Sequence, residues 1–381
     1  MADIIESVRR LFTPVRPLAP GIFHYQAPAD APVPYRLHLR LERDGTGLLI
    51  VNASTILHLN PTAAEFAYHL VRQTPEEQML VEITSRYRIG RQQALQDYQT
   101  LIDRILTLIH SQDLDPEMFL DFERAAPNST KISAPYRLDC AITYRLPAKF
   151  DASLAPTKRV DRELTTEEWC GIFDKAWSLG IPHIILTGGE PTLRDDLPQL
   201  IAHTEANGQV VGLLSDGLKL ADNQYLQELL QTGLDHLMLS LIPEDENSWK
   251  ALSNVMAADL FTAVHLTLTP QNNANMAKVL ERIAQLGVKA LSLTASDSTL
   301  HAALLKLRNQ AAALGLTMIW DLPVPYSAFN PVAIETKGEN LPAGAGHAWL
   351  YVEPDGDVLP TQGVNQVLGN ILRDPWEKLW R

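Results

Sequence analysis

Apolar and polar residues alternate along Tyr35–Glu42 (YRLHLRLE), the pattern of a strand with one buried face. The turn DGTG follows, and LLIVNASTILHL supplies one or two further strands. From Asn60 the period becomes helical. NPTAAEFAYHLVRQ, TPEEQMLVEITSRY and GRQQALQDYQTLIDRILTLIH each begin at a cap or breaker and carry amphipathic spacing. Thr74 with Glu77 reads as a capping box, with Pro75 at the first helical position. Strands followed by three helices predict a small α+β domain ending near His110. The polar, proline-bearing stretch SQDLDPEMFLDFERAAPNSTKISAP then predicts a linker.

Beyond it strands and helices alternate. Strands are expected at 136–145, 183–187, 209–215, 235–241, 262–269 and 288–294. Helices are expected between them at 165–179, 195–207, 222–232, 244–257 and 274–286, with another at 299–314. Successive β/α units predict an α/β fold with a parallel sheet, curled into a full or partial barrel. Ligands in such folds sit at the C-terminal ends of the strands. The last stretch changes character again. HAWLYVEPDGDVLPTQG reads as two short strands around the turn Pro354–Asp357, and DPWEKLWR as a closing helix with Asp374 as N-cap and Pro375 at its first position.

Composition narrows the picture. The 381 residues are 46% hydrophobic and 20% charged, a globular balance with room for two or three domains. The net charge of −13 repels phosphate, so no nucleic-acid partner is expected. The start MADIIESVRRLFTPV has no apolar h-region and no run reaches 18 apolar residues. These features predict a cytoplasmic protein with no membrane association. There are two cysteines, Cys140 on an expected strand and Cys170 in an expected helix, which read as reduced apolar side chains.

ILTGGEPTLRDDL (Ile185–Leu197) is a strand, a glycine turn and a helix start. Gly188 and Gly189 lack Cβ atoms, so their backbone can approach a ligand closely. Glu190 can accept from an ammonium or brace the turn, and Pro191 fixes the exit. A tight connection with no ligand meets the same description. In its context the turn resembles that of the radical S-adenosylmethionine (SAM) superfamily, as does the whole of LTTEEWCGIFDKAWSLGIPHIILTGGEPTLRDDLPQLI. Ser215-Asp216-Gly217 stands where that family often has Thr-Asn-Gly, and LMLSLIPEDENSWKAL is similar to its fourth unit, with Ser240 at the ribose side. The resemblance covers 134–325 and implies a partial (β/α)6 TIM-like barrel. It also implies cofactor-binding positions at Gly188, Gly189, Glu190, Pro191, Ser215 and Ser240.

Two flanking stretches resemble companions of that superfamily. LHLNPTAAEFAYHL and the helices ending LQDYQTLIDRIL are similar to a PqqD-type, winged-helix-like RiPP recognition element, here residues 17–115 with a linker at 116–133. YVEPDGDVLPTQ…LGNILRDPWEKLW resembles a SPASM or twitch region, here 326–381. The first implies a precursor or leader peptide as partner. That peptide would add to the sheet edge at Leu48–Ala53 and rest against the helix Gln92–Leu108.

The pattern breaks at its chemistry. Radical SAM enzymes hold an iron–sulfur cluster on three cysteines in the loop after the first barrel strand, because thiolates are the soft ligands that iron–sulfur clusters require. Those positions are Leu146, Phe150 and Ser153, and Ala343 and Thr361 stand where the C-terminal region would have cysteines. No iron–sulfur cluster and no catalytic residue are therefore expected, SAM could bind only weakly, and radical cleavage of SAM is not expected. The reading is a degenerate, cluster-free pseudoenzyme that binds a peptide or partners an active enzyme in a peptide-modification pathway. The alternatives are an enzyme reusing the barrel mouth with SAM or another small molecule for non-radical chemistry, and a radical enzyme with atypical ligands. His183, His236 and His265 lie on expected strands without ligand spacing, and no metal site is assigned to them. Phe150 is expected to fill the space left by the cluster.

Overall fold

The computed structural model describes residues 17–28, 30–110, 132–336 and 341–380. Most of the expected linker and the first 16 residues lie outside the described residues. Two compact units fall on either side of the Ser133–Ala134 junction.

In the first unit four strands run antiparallel in chain order: β1 (Gly21–Gln26), β2 (Arg36–Leu41), β3 (Gly47–Val51) and β4 (Thr55–Leu59). Three helices follow, α1 (Pro61–Val71), α2 (Glu76–Arg86) and α3 (Arg91–His110). Alternation sends Leu37, Leu39, Leu49, Val51, Leu57 and Leu59 to one core with Phe66, Met79, Ile83 and Ile105 of the helices. Each such side chain, fully buried, contributes roughly 1.5–3 kcal/mol. Two expectations need correction. The capping box at Thr74 and Glu77 does not form: α2 starts at Glu76 behind an extended Pro75, which puts Thr74 one residue too early to cap it. Moreover, β3, expected to receive a peptide, is a central strand paired on both sides, so its backbone groups are already used.

The second unit contains one mixed sheet of ten strands in the order β11-β10-β9-β8-β7-β6-β5-β12-β13-β14. Strands β5 (Arg137–Thr143), β6 (His183–Gly188), β7 (Val210–Ser215), β8 (His236–Ser240), β9 (Phe261–Leu268), β10 (Ala290–Ala295) and β11 (Thr317–Met318) are parallel. Between them come α4 (Thr166–Ser178), α5 (Leu197–Asn207), α6 (Asn223–Gln231), α7 (Glu246–Met256), α8 (Met276–Gln285) and α9 (His301–Ala313). The C-terminal strands continue this sheet. Strand β12 (Trp349–Val352) pairs parallel with β5, and β13 (Asp357–Leu359) and β14 (Gly369–Asn370) add antiparallel beyond it. The last helix, α10 (Trp376–Leu379), has Pro375 rather than Asp374 at its N-cap. Asp374 instead accepts from the Asn370 amide at 2.8 Å and pairs with Lys378.

Strand residues of one parity, among them Leu138, Ile184, Leu213, Leu239 and Leu266, pack with all these helices into the main core. The opposite parity forms a separate helix-free cluster of Ile185, Leu214, Met238, Ala263 and Ala290. Near the N-terminal ends of the strands that face turns polar. His183 and His236 meet Nε2 to Nε2 at 2.8 Å, and burial followed by the nearby Arg137 charge holds His236 at about 4. Gly212 makes room for the pair, since a Cβ there would lie 2.1 Å from His236 Cε1. His265 stands apart, bonded to Ser292 and Thr267, so the three histidines do not converge.

Candidate functional site

The glycine turn lies at the C-terminal end of β6 and is built against the chain leaving β5. Gly189 N donates to Thr143 O at 2.8 Å and Glu190 N to Arg145 O at 2.9 Å. A Cβ on Gly188, whose φ is +122°, would lie 2.2 Å from Thr143 O, and one on Gly189 would lie 2.3 Å from Arg145 O. The bare glycines are thus required by another stretch of this chain, whatever ligand is present.

Glu190 is buried and braces the turn. Its Oε1 accepts from the Thr192 amide (3.0 Å), the Thr192 hydroxyl (2.6 Å) and the Ser215 hydroxyl (2.7 Å), while Oε2 accepts from the Asp216 amide at 2.8 Å. Ser215 Oγ in turn accepts from Gly217 N at 2.9 Å. Pro191 opens a single 3-10 turn behind this network. The structure therefore brings five of the six expected positions into one hydrogen-bonded turn. Ser240, on β8, lines a cavity together with Gly189 and Glu190, its hydroxyl buried and without a partner.

That cavity measures about 50 Å3. Gly189, Glu190, Asp216 and Ser240 form its polar end, and Leu146, Pro147, Phe150, Ile242, Pro243 and Phe329 its apolar wall. Phe150 is half-buried and lines the space, with the Lys149 ammonium 5.2 Å from its ring centre. It lines the space without filling it. Asp216 escaped assignment at the sequence level, although SDG marks the turn it occupies. Burial, and then the Glu190 charge beside it, push its carboxyl up to about 8.

A second cavity of about 250 Å3 shares Val324 and Tyr326 as its wall with the first, and is otherwise lined by Asp139, Leu322, Trp349 and Thr361 among others. Between the loop after β5 and the C-terminal strands lies a buried ion-pair network. Arg159 donates to both oxygens of Glu335 (2.5 and 3.0 Å) and to Glu353 at 2.6 Å. Tyr144 donates to Glu353 at 2.7 Å, and Tyr326 donates to Glu335. Burial alone would lower the guanidinium's pKa, but the Glu335 hydrogen bonds and the Glu353 charge raise it above its ordinary value.

Residues 140–242 match the family model of the radical SAM superfamily. Two curated relatives are PqqA peptide cyclases, each 26% identical. The one from Streptomyces rochei aligns over 65% of this chain and 76% of its own length, and the one from Granulibacter bethesdensis over 62% and 70%. Among solved structures, Streptococcus suis SuiB bound to S-adenosylmethionine superposes with a TM-score of 0.58 at 14% identity, over 90% of this chain and 86% of SuiB. SuiB bound to its precursor peptide SuiA gives 0.55 at 16% identity over the same shares. At these identities the likeness concerns the fold alone.

The donor set for the family's cluster does not fit. Cys140 is buried on the helix-facing side of β5 and Cys170 lies on α4, so neither belongs to the loop after β5. Among the described residues no group of three or more His, Cys, Asp or Glu side chains could hold a metal ion. SAM fits in part. Its ammonium matches the polar end of the cavity, but one water alone occupies about 10–15 Å3, and 50 Å3 does not admit a nucleoside unless Phe150 moves.

Proposed function

We propose that this chain is a cluster-free radical-SAM-like pseudoenzyme whose first unit captures a precursor or leader peptide in a ribosomal-peptide modification pathway, alone or beside an active enzyme. On this reading the first unit (17–115) is a PqqD-like recognition element joined by the 116–133 segment to a partial (β/α)6 barrel (134–325) and a SPASM/twitch-like end (326–381) in a cytoplasmic protein. The observation that carries it is the place of β4 at the end of the strand order among the described residues, in a sheet backed by three helices. Asn52 N donates to Arg36 O, so that parity of β3 faces β2 and the other faces β4. Alternation then turns the main-chain groups of Ile56 away from β3, as β-augmentation requires. The relatives' name, PqqA peptide cyclase, and the SuiB–SuiA complex support a peptide as the ligand class.

Random 20-residue peptides selected by mRNA display on the full chain should protect Thr55–Leu59 from hydrogen exchange. Ile56→Pro, which removes a main-chain donor facing away from β3 but no ladder bond, should weaken a selected peptide at least tenfold while shifting the thermal midpoint little. Equal affinity for the proline variant would exclude this edge. Anaerobic reconstitution with iron and sulfide should leave the protein free of stoichiometric iron and yield no 5′-deoxyadenosine from SAM. Iron with SAM cleavage would replace this reading by a radical enzyme with atypical ligands. The buried carboxyl pair Glu190–Asp216 favours a second reading, in which the cavity serves non-radical chemistry on SAM or another small molecule.

A further inference from the structure

The mismatch between the cavity and SAM points to a different ligand. We infer that the space at the C-terminal end of β6–β8 receives the terminal ammonium of an unbranched primary alkylamine, free or as a lysine side chain, in preference to SAM. The inference stands on the second unit alone and does not depend on peptide capture by the first.

An ammonium offers three donors and no acceptor. Three acceptors belong to residues that line the cavity: Glu190 Oε2, which takes one amide; the Asp216 carboxyl, whose Oδ1 takes the Leu218 amide; and the Ser240 hydroxyl, buried and without a partner. The apolar wall of Leu146, Phe150, Ile242 and Phe329 suits a methylene stem. About 50 Å3 holds such a tip and excludes an adenosyl group. The same lining disfavours an α-carboxylate. It contains no lysine or arginine, two carboxyl groups already meet there, and no thiolate set exists to hold a metal that would chelate the amino-acid end. The charged groups that bear on Asp216 are Glu190, in the lining, and Lys149, beyond it, which is engaged with Asp245 at 3.3 Å. His265, also lining the cavity, is neutral because burial holds it at about 4.

The test is ligand-observed NMR titration of the full chain at pH 9, where Asp216 is ionised and an alkylamine still charged. The probes are n-butylammonium, Nα-acetyl-lysine methylamide, n-butanol and SAM. Butylammonium should bind in the millimolar range expected of so small a molecule, at least tenfold tighter than butanol or SAM. Asp216→Asn should weaken it at least tenfold at pH 9 and far less at pH 6, and Ser240→Ala should weaken it at both. The lysine derivative binding as well as butylammonium identifies a peptide side chain as the source, and butylammonium binding alone identifies a free amine. SAM binding as tightly as the amine, butanol matching it, or affinities unmoved in both variants would overturn the inference.

Discussion

Arg159→Met should lower the thermal midpoint of the full chain by roughly 10 °C, because removing one partner of a buried ion pair costs about 3–5 kcal/mol and a unit of this size loses about 2–4 °C per kcal/mol. The reason lies in what remains. Glu335 and Glu353 are almost wholly buried, and the methionine would leave both carboxylates without their cation. Tyr144 and Tyr326 would still donate one bond to each, too little to replace charge-assisted contacts from a guanidinium. Arg159→Lys should fall between, since an ammonium keeps the charge but not the two-pronged contact with Glu335. The triple variant R159M/E335Q/E353Q should recover much of the loss, because a neutral network no longer carries unpaired charge. Differential scanning calorimetry of the four proteins decides the matter, and midpoints agreeing within 2 °C would show that the network does not hold the loop. This cross-link joins the segment after β5 to the C-terminal strands. Here an arginine anchors that segment.

Asp216→Asn should raise stability at alkaline pH and change little in acid. The sign follows from linkage. The carboxyl titrates near 8 in the folded protein, because burial and Glu190 disfavour its charge, whereas the unfolded chain releases that proton near 4. Between these values the folded state holds a proton that the unfolded state has lost, so wild-type stability falls as pH rises through the window. Each pKa unit of difference is worth about 1.4 kcal/mol, and asparagine has no proton to lose. The midpoint difference between variant and wild type should therefore grow from pH 5 to about pH 8 in favour of Asp216→Asn and level off above it. A constant difference would mean that Asp216 is ionised throughout. The same variant should lose amine binding, so stability and ligand affinity are expected to move in opposite directions at this residue.

Much of the architecture was legible in the chain itself. The period change at Asn60, the six β/α alternations and the turn at Pro354–Asp357 locate most of the elements to within a few residues, because local spacing of apolar side chains decides helix or strand. The absence of a cluster donor set was equally plain, being a matter of counting thiolates. Strand β1 was less visible, since GIFHYQ, with four half-buried and two exposed residues, carries only a faint alternation. The caps at Thr74 and Asp374 failed for a different reason. Both residues have the right chemistry, but each helix begins one or two residues later than its motif suggests, behind a proline in extended conformation.

The sequence by itself determined which residue types are present and the local period of each segment, and hence the fold class, the element order and the lack of cysteine ligands. Only the tertiary structure decided which atoms meet. Strand order made β3 central and left β4 at the edge, because pairing depends on contacts far apart in the chain. The glycines of GGEP face Thr143 and Arg145, residues more than forty positions away that no local pattern connects to them. Arg159 found Glu335 and Glu353, and Asp216 found Glu190, in the same way. A burial-driven pKa shift and an unpartnered hydroxyl exist only once distant segments exclude water together.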